Sequence, residues 1–551
     1  MKISKNILFD RLKSVYSEKE AELLNWQYKD VLENDLYNDV IYVLGLFNNL
    51  YKKNKNFAKT FSAYRRLALT QNFYSNETLL GTLRDDLSHN NRLIINTIRE
   101  LEKTKKKNIT NLAQLQQFET QIYSYKELFR YISAKVASLI TGSDWKSPAY
   151  ACSAFGNIYY PSDTNTATCN YKRYGYTTLY KLEERYQKEI LGIKNTSIKS
   201  LLTASGMSSY ALIEDFITKD IAKPNDLIMT SPYIYFEAYE QLAKNKNFRL
   251  AKCSSYDYKV IVDEIIKHKP CAIFLDPITN TGEMHLIDLE NLIREIDNLN
   301  LSKPLYLIID TTLTADMFNP FEHTNLRNKK FKIVMYESFN KYRQLGLDML
   351  MMGSITAQKE DIQMLEKSRR NTGQVVYDYF VNLFPEYTKE TSSKRFRKLS
   401  QNAEIISRML TNDPMVSNSI DIYYPGLTNH PDYAIAKKYQ YCGGLVAFLF
   451  KNKELNSPKN FSKFIDILME KCRKNQIPLN KGVSFGFDIS RISSAASMAA
   501  TIDPFLRLSV GTDYIHNILL LAKQIKNIFC EEYSLSSLDK KTDNNSYREF
   551  L

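Results

Sequence analysis

The 551-residue sequence lacks the marks of a secreted or metal-held protein. Its seven cysteines (Cys152, Cys169, Cys253, Cys271, Cys442, Cys472, Cys530) are odd in number, widely scattered and without a CxxC pair. Neither a disulfide framework nor a structural zinc site is therefore indicated. The six histidines include no HExxH and no close pair, which argues against a catalytic metal. No apolar run is long enough to span a bilayer. The basic start, MKISKNILFDRLKS, is interrupted by Asp10, Arg11 and Lys13 and does not read as a signal peptide. A reduced, cytoplasmic setting fits these absences best. Helix-turn-helix, RNP and zinc-finger patterns are missing too. The net charge of +13 lies in short clusters such as Lys105-Lys106-Lys107, so it reads as a lysine-rich surface rather than a nucleic-acid footprint. Such a charge also favours an anionic small substrate.

What remains is a large globular chain, 44% hydrophobic and long enough for several domains. No proline occurs before Pro148. Leu112, Leu115, Phe118, Ile122, Tyr125, Phe129, Ile132, Val136 and Leu139 form one stripe at steps of three and four, the period of a packed helix. Residues 1–147 are accordingly expected to be a helical extension, with a core or oligomer contact and no chemistry of its own. Trp145 to Asn170, rich in Ser, Thr, Gly and Pro, reads as a long loop or boundary. A large domain is expected over 148–360; within it, from 200 to 355, apolar runs at Asp226–Met229, Cys271–Leu275, Leu305–Ile309 and Ile333–Tyr336 alternate with helical stretches such as Ser208–Ile217 and Leu289–Leu299. That alternation predicts a mostly parallel sheet with helices on both faces. Beyond Ser354 a helical, basic stretch leads to a smaller α/β unit, 361–533, and a polar tail, 534–551, expected to be disordered.

The chain is organised around Lys332 to Gly353. Ile333–Tyr336 reads as a buried strand, Ser338 and Asn340 lead to Lys341, and after Gly346 a second strand is expected at Met349–Met352. A lysine in that position can be desolvated, which favours its neutral, nucleophilic form. Ser338, Lys341, Tyr342, Gly346 and Asp348 resemble, in order, the Schiff-base motif of the pyridoxal-phosphate (PLP) enzymes of cysteine and methionine metabolism, which include cystathionine γ-synthase, the cystathionine lyases and methionine γ-lyase. Companion segments follow in the family's order. Tyr171-Lys172-Arg173-Tyr174-Gly175 is similar to the segment whose Tyr and Arg reach the cofactor phosphate of a neighbouring subunit. Ser205-Gly206-Met207 resembles the phosphate-binding helix start. Tyr233, or Tyr235 one step on, resembles the tyrosine that stacks on the cofactor ring and protonates the leaving group, although the small residues that normally follow it are absent. Asp276-Pro277-Ile278-Thr279-Asn280 resembles a Ser-Pro-x-Asn-Pro turn with one residue added; its Asn280 would bond the cofactor's phenolic oxygen. Asp310-Thr311-Thr312, ending an apolar strand, resembles Asp-Asn-Thr, whose aspartate pairs with the pyridine nitrogen. Leu506-Arg507-Leu508-Ser509 and Ser484 resemble the residues that clamp the substrate carboxylate.

The resemblance covers about residues 150 to 530 and implies an aspartate-aminotransferase-like (type I) fold with a smaller C-terminal α/β domain. It implies a homotetramer, or at least a homodimer, with shared active sites and pyridoxal 5'-phosphate as cofactor. The implied reaction is a β- or γ-elimination, or a γ-replacement, on a sulfur amino acid or homoserine ester. Lys341 would hold the cofactor and then remove the Cα proton, and Tyr233 would serve as acid. Ser338, Asn340 and Thr312 would line the cofactor. An aminotransferase would use the same lysine, aspartate and arginine, and a non-sulfur leaving group would suit the altered pocket. A non-enzymatic interaction protein working through its N-terminal helices would need none of them.

Overall fold

The computed structural model describes residues 1–70, 77–143, 172–323, 326–496 and 503–532. The loop expected at Trp145–Asn170 and the polar tail lie outside the described residues. At the centre is a seven-stranded sheet: β1 (Ile198–Thr203), β2 (Leu227–Thr230), β3 (Arg249–Lys252), β4 (Ala272–Leu275), β5 (Leu305–Asp310), β6 (Phe331–Ser338) and β7 (Gly353–Gln358). The spatial order is β1-β7-β6-β5-β4-β2-β3. Only β7 runs antiparallel to its neighbours. Strands β2 and β4 are buried throughout, and β5 is buried except at its terminal aspartate. That double-sided burial is why they read as unbroken apolar runs in the sequence. The carboxyl ends of β2, β4, β5 and β6 share one edge, where such sheets build their sites.

Met349–Met352 is not a strand; β7 begins only at Gly353 and runs on to Gln358, and the helical stretch expected beyond Ser354 starts after it, at Lys359. The Gln344 side chain supplies the reason. Its carbonyl accepts the N–H groups of Met349 (2.7 Å) and Leu350 (3.1 Å), and its amide donates to the Leu350 carbonyl (3.3 Å). These groups have a side-chain partner and need no ladder. Left-handed backbone at Leu345, Gly346 and Asp348 bends the same stretch.

A five-stranded sheet follows, made of β8 (Ile420–Tyr423), β9 (Leu445–Phe450), β10 (Asn480–Lys481), β11 (Arg491–Ala495) and β12 (Phe505–Ser509), in the order β8-β9-β12-β11-β10. Helix Lys389–Thr411 precedes it and helix Ile515–Glu532 closes it.

The N-terminal region is helical: α1 (Ile7–Leu12), α2 (Glu18–Thr70), α3 (Glu77–Thr104) and α4 (Leu112–Ser143). The stripe from Leu112 to Leu139 is the buried or half-buried face of α4, at the period the sequence shows. Its apolar cluster is continuous with that of the C-terminal unit. Polar contacts join the two as well. The Tyr16 hydroxyl donates to the Leu519 carbonyl (2.6 Å), and Lys126 pairs with both Asp39 and Asp488; towards the large sheet, the Tyr42 hydroxyl donates to the Leu345 carbonyl (3.0 Å). Among the described residues no helix is long and apolar enough to cross a membrane, and no cluster of three metal-ligating side chains occurs.

Candidate active site

Lys341 follows β6 and opens a 3₁₀ turn, Tyr342–Gln344, so its side chain leaves the sheet edge towards a cavity of about 700 Å³. The turn is held from beneath. Arg343, fully buried, pairs with Glu337 at 2.8 Å and with Asp316, and its carbonyl accepts the Tyr387 hydroxyl at 2.6 Å. The Lys341 amine donates to the Ser484 hydroxyl at 2.7 Å and stands 5.3 Å from the centre of the Phe485 ring. Burial, and then the positive Arg507 nearby, lower its pKa to about 8. A share of the amine is thus neutral near physiological pH, as a nucleophile or base requires.

Two carboxyls, Asp310 and Asp276, line the same cavity. Asp310 ends β5, and its Oδ1 accepts the Thr312 N–H at 2.9 Å. Burial raises its pKa; hydrogen bonds from Thr312 oppose the rise. One wall is the start of helix Gly206–Phe216, where the Ser205 side chain caps the Ser208 N–H at 3.0 Å. Gly206 is required there, since a Cβ would lie 2.6 Å from the Ser338 Cβ. Facing Ser338 fixes the cradle in turn, because its N–H donates to the Thr312 hydroxyl at 3.0 Å. Ser205, Gly206 and Met207 with the Ser338 hydroxyl could hold the oxygens of a phosphate, as helix N-termini do.

Arg507 enters from β12, between Ala447 and Ser493 in the ladder. Its Nη1 donates to the Asn280 Oδ1 at 3.0 Å, while its buried Nε has no partner. A buried guanidinium with an unused edge is suited to a carboxylate ligand. Asn280 gives its oxygen to Arg507, so its amide N–H groups are what it could offer a ligand. Tyr233 and Tyr235 both line the cavity, and burial raises both phenols, so each remains a proton donor at neutral pH. Asn340 lies at the rim, its Oδ1 accepting the Met352 N–H at 3.3 Å.

The cavity thus gathers Lys341, Tyr233, Asp310, Ser205, Gly206, Met207, Asn280, Thr312, Ser338, Asn340, Arg507 and Ser484. Arg173 does not line it: its side chain reaches Tyr174, on an exposed turn. Tyr171 lies outside the described residues. Asp276, Tyr336 and Phe485, which the family resemblance does not mark as site residues, also line the cavity. Asp276 could have been singled out as the acidic residue in a turn that otherwise carries serine. Tyr336 and Phe485 give no such signal, being ordinary aromatic residues in apolar runs.

The model of the Cys/Met metabolism PLP-dependent enzyme family matches residues 141–520, and the chain belongs to that family. The bifunctional enzyme flvA of Aspergillus flavus is 26% identical over 394 residues, 71% of this chain and 46% of that protein. The chain therefore spans about half of that relative's length. Cystathionine beta-lyase of Coxiella burnetii is 23% identical over 57% of this chain and 78% of its own. Cystathionine gamma synthase of Xanthomonas oryzae pv. oryzae superposes with a TM-score of 0.53 at 20% identity, covering 66% of this chain and 89% of its own. The fold is accordingly of the type I PLP class, with its helical N-terminal region added in front.

Proposed function

We propose that this chain binds pyridoxal 5'-phosphate on Lys341 and catalyses β- or γ-elimination, or γ-replacement, on an amino acid with a leaving group at Cβ or Cγ. The observation that carries the reading is the convergence in one cavity of a lysine with lowered pKa, a buried aspartate and a buried arginine with an unused edge. Bound here, the cofactor supplies an electron sink for negative charge developing at the substrate Cα. Asp310 would hold the ring nitrogen, Asn280 the phenolic oxygen, and Ser205, Gly206, Met207 and Ser338 the phosphate, with Thr312 and Asn340 orienting that shell. Arg507 and Ser484 grip the substrate carboxylate and so set the direction in which the Cα–H bond points. Lys341, released to its neutral form, takes the Cα proton. The Ser484 hydroxyl, 2.7 Å from its nitrogen, holds the amine in place for that transfer. Tyr233, whose phenol burial keeps protonated, gives a proton to the departing group.

No arginine or lysine of this chain other than Lys341 and Arg507 lines the cavity among the described residues. A phosphate would therefore lack a cationic partner at the helix end. We infer a homodimer or homotetramer in which the partner subunit's Arg173 and the partner subunit's Tyr171 complete the site. Where the family carries small residues after Tyr233, this chain has Ile234, Tyr235 and Phe236, and the last two line the cavity. That crowding favours a compact leaving group, such as a small thiol or an ester oxygen, over a long cystathionine side chain.

The test is product analysis. The PLP-loaded protein is incubated separately with cystathionine, methionine, cysteine and O-acylated homoserines. Elimination gives a 2-oxo acid, ammonia and the released group; replacement gives a thioether when a thiol is supplied. A keto acid that keeps its side chain intact would assign an aminotransferase instead. Equal turnover by Lys341→Ala would sink the mechanism.

A further inference from the structure

Asp276 has no counterpart among the residues assigned above. It follows β4, whose register with β5 pairs Leu275 with Ile309. The next residue on each strand is an aspartate, so Asp276 and Asp310 lie side by side at the ends of adjacent parallel strands, roughly 4.8 Å apart by strand spacing. Both face the cavity. Asp276 is only 6% exposed, and its Oδ1 has no hydrogen-bond partner. Among the described residues neither aspartate makes an ion pair. The groups around Asp276 are Asp310, the phenols of Tyr233, Tyr256 and Tyr336, and the Tyr235 backbone N–H. The cavity's cations, Lys341 and Arg507, act on Asp310 and on Tyr233 and Tyr235 respectively. Burial first, and the Asp310 charge second, raise Asp276 well above the usual carboxylate range. Two adjacent buried carboxyls do not both ionise; the pair titrates as a unit and retains a proton.

We propose that Asp276 and Asp310 share one proton in the cofactor-free protein and that the cationic ring nitrogen of the bound cofactor displaces it, so that two carboxylates rather than one hold the ring. This inference rests on the PLP-binding reading above. The exchange balances. The carboxyl O–H bond breaks, its electron pair stays on oxygen, the proton passes to solvent, and the ring keeps its own N–H. The added negative charge beside the ring nitrogen would hold the ring cationic to higher pH than Asp310 alone.

The experiment counts protons by titration calorimetry at pH 7 in two buffers of very different ionisation enthalpy. PLP is bound to cofactor-free wild type, Asp276→Asn and Asp276→Ser, and the series is repeated with the carbocyclic analogue whose ring nitrogen is replaced by C–H. The expected result is that wild type releases about one proton more than either variant with PLP, and that the difference vanishes with the analogue. Should the variants fail to fold, wild type alone decides, since it must release about one proton more with PLP than with the analogue. Equal proton counts in either comparison would overturn the shared-proton pair while leaving PLP binding intact. If wild type develops no visible band with PLP, the cofactor reading falls, and the pair with it.

Discussion

Lys126→Met tests whether the helical N-terminal region supports the site. Lys126, on α4, lies 2.7 Å from Asp39 of α2 and 3.1 Å from Asp488 of the C-terminal unit, and its side chain is 12% exposed. Asp488 also pairs with Arg395, whose Nη2 donates to the Gly486 carbonyl at 3.1 Å. Gly486 lies against the Lys341 turn, where a Cβ would come 2.9 Å from the Lys341 carbonyl carbon. Burial alone would raise the Asp488 carboxyl, but Arg395 and Lys126 outweigh it and hold it down at about 2. Against an unfolded value near 3.9, that depression corresponds to roughly 2–3 kcal/mol of stability. Because the folded pKa is depressed, this stability is present above about pH 4 and disappears as the pH falls towards 2. Removing Lys126 leaves Asp39 without its cation and Asp488 with one cation instead of two. Breaking a buried pair costs about 3–5 kcal/mol. Arg395 remains, so we expect about 3 kcal/mol. Denaturant unfolding at pH 7 and the midpoint of acid unfolding measure it. The midpoint should move up in pH, Lys126→Arg should restore most of the loss, and the affinity for PLP should fall with the stability. A methionine variant with wild-type stability and an unchanged acid midpoint would refute the reasoning.

Three further outcomes follow from the same geometry. Burial and Arg507 lower the pKa of Lys341 to about 8, so below pH 8 the folded, cofactor-free protein carries a charge it disfavours. Lys341→Met should therefore stabilise that form by about 2–3 kcal/mol at pH 7, with the gain fading between pH 8 and 10.5, as paired melting curves across that range would show. Gly206→Ala places a Cβ 2.6 Å from the Ser338 Cβ. It should weaken PLP binding at least tenfold with far-UV circular dichroism unchanged. Arg507→Lys removes the planar fork and should raise KM by roughly 30- to 100-fold, worth about 2–3 kcal/mol, with a smaller loss in kcat.

The sheet was legible because its central strands are buried on both faces and therefore apolar without interruption; β4 and β5 needed no motif to be seen. The site residues were legible for a different reason. Ser205, Asp310, Lys341 and Arg507 each end or interrupt a regular element, where a polar residue stands out against its neighbours. Met349–Met352 misled, because an apolar run does not reveal that Gln344 satisfies its backbone. Asp276 carries no local signal of its role, since only the register between β4 and β5 places it beside Asp310. The link from Asp39 through Lys126 and Asp488 to Arg395 joins four distant segments, and no local pattern encodes such a contact. In the fold, the stripe on α4 shows a helix with one buried face but not what it packs against.

The most direct measurement of the central claim is borohydride reduction of the protein after PLP is added, followed by peptide mapping. The account predicts a visible absorbance band that reduction bleaches, with the pyridoxyl mass on the peptide carrying Lys341 and on no other. A label on a different lysine, or no band and no label at saturating PLP, would contradict it.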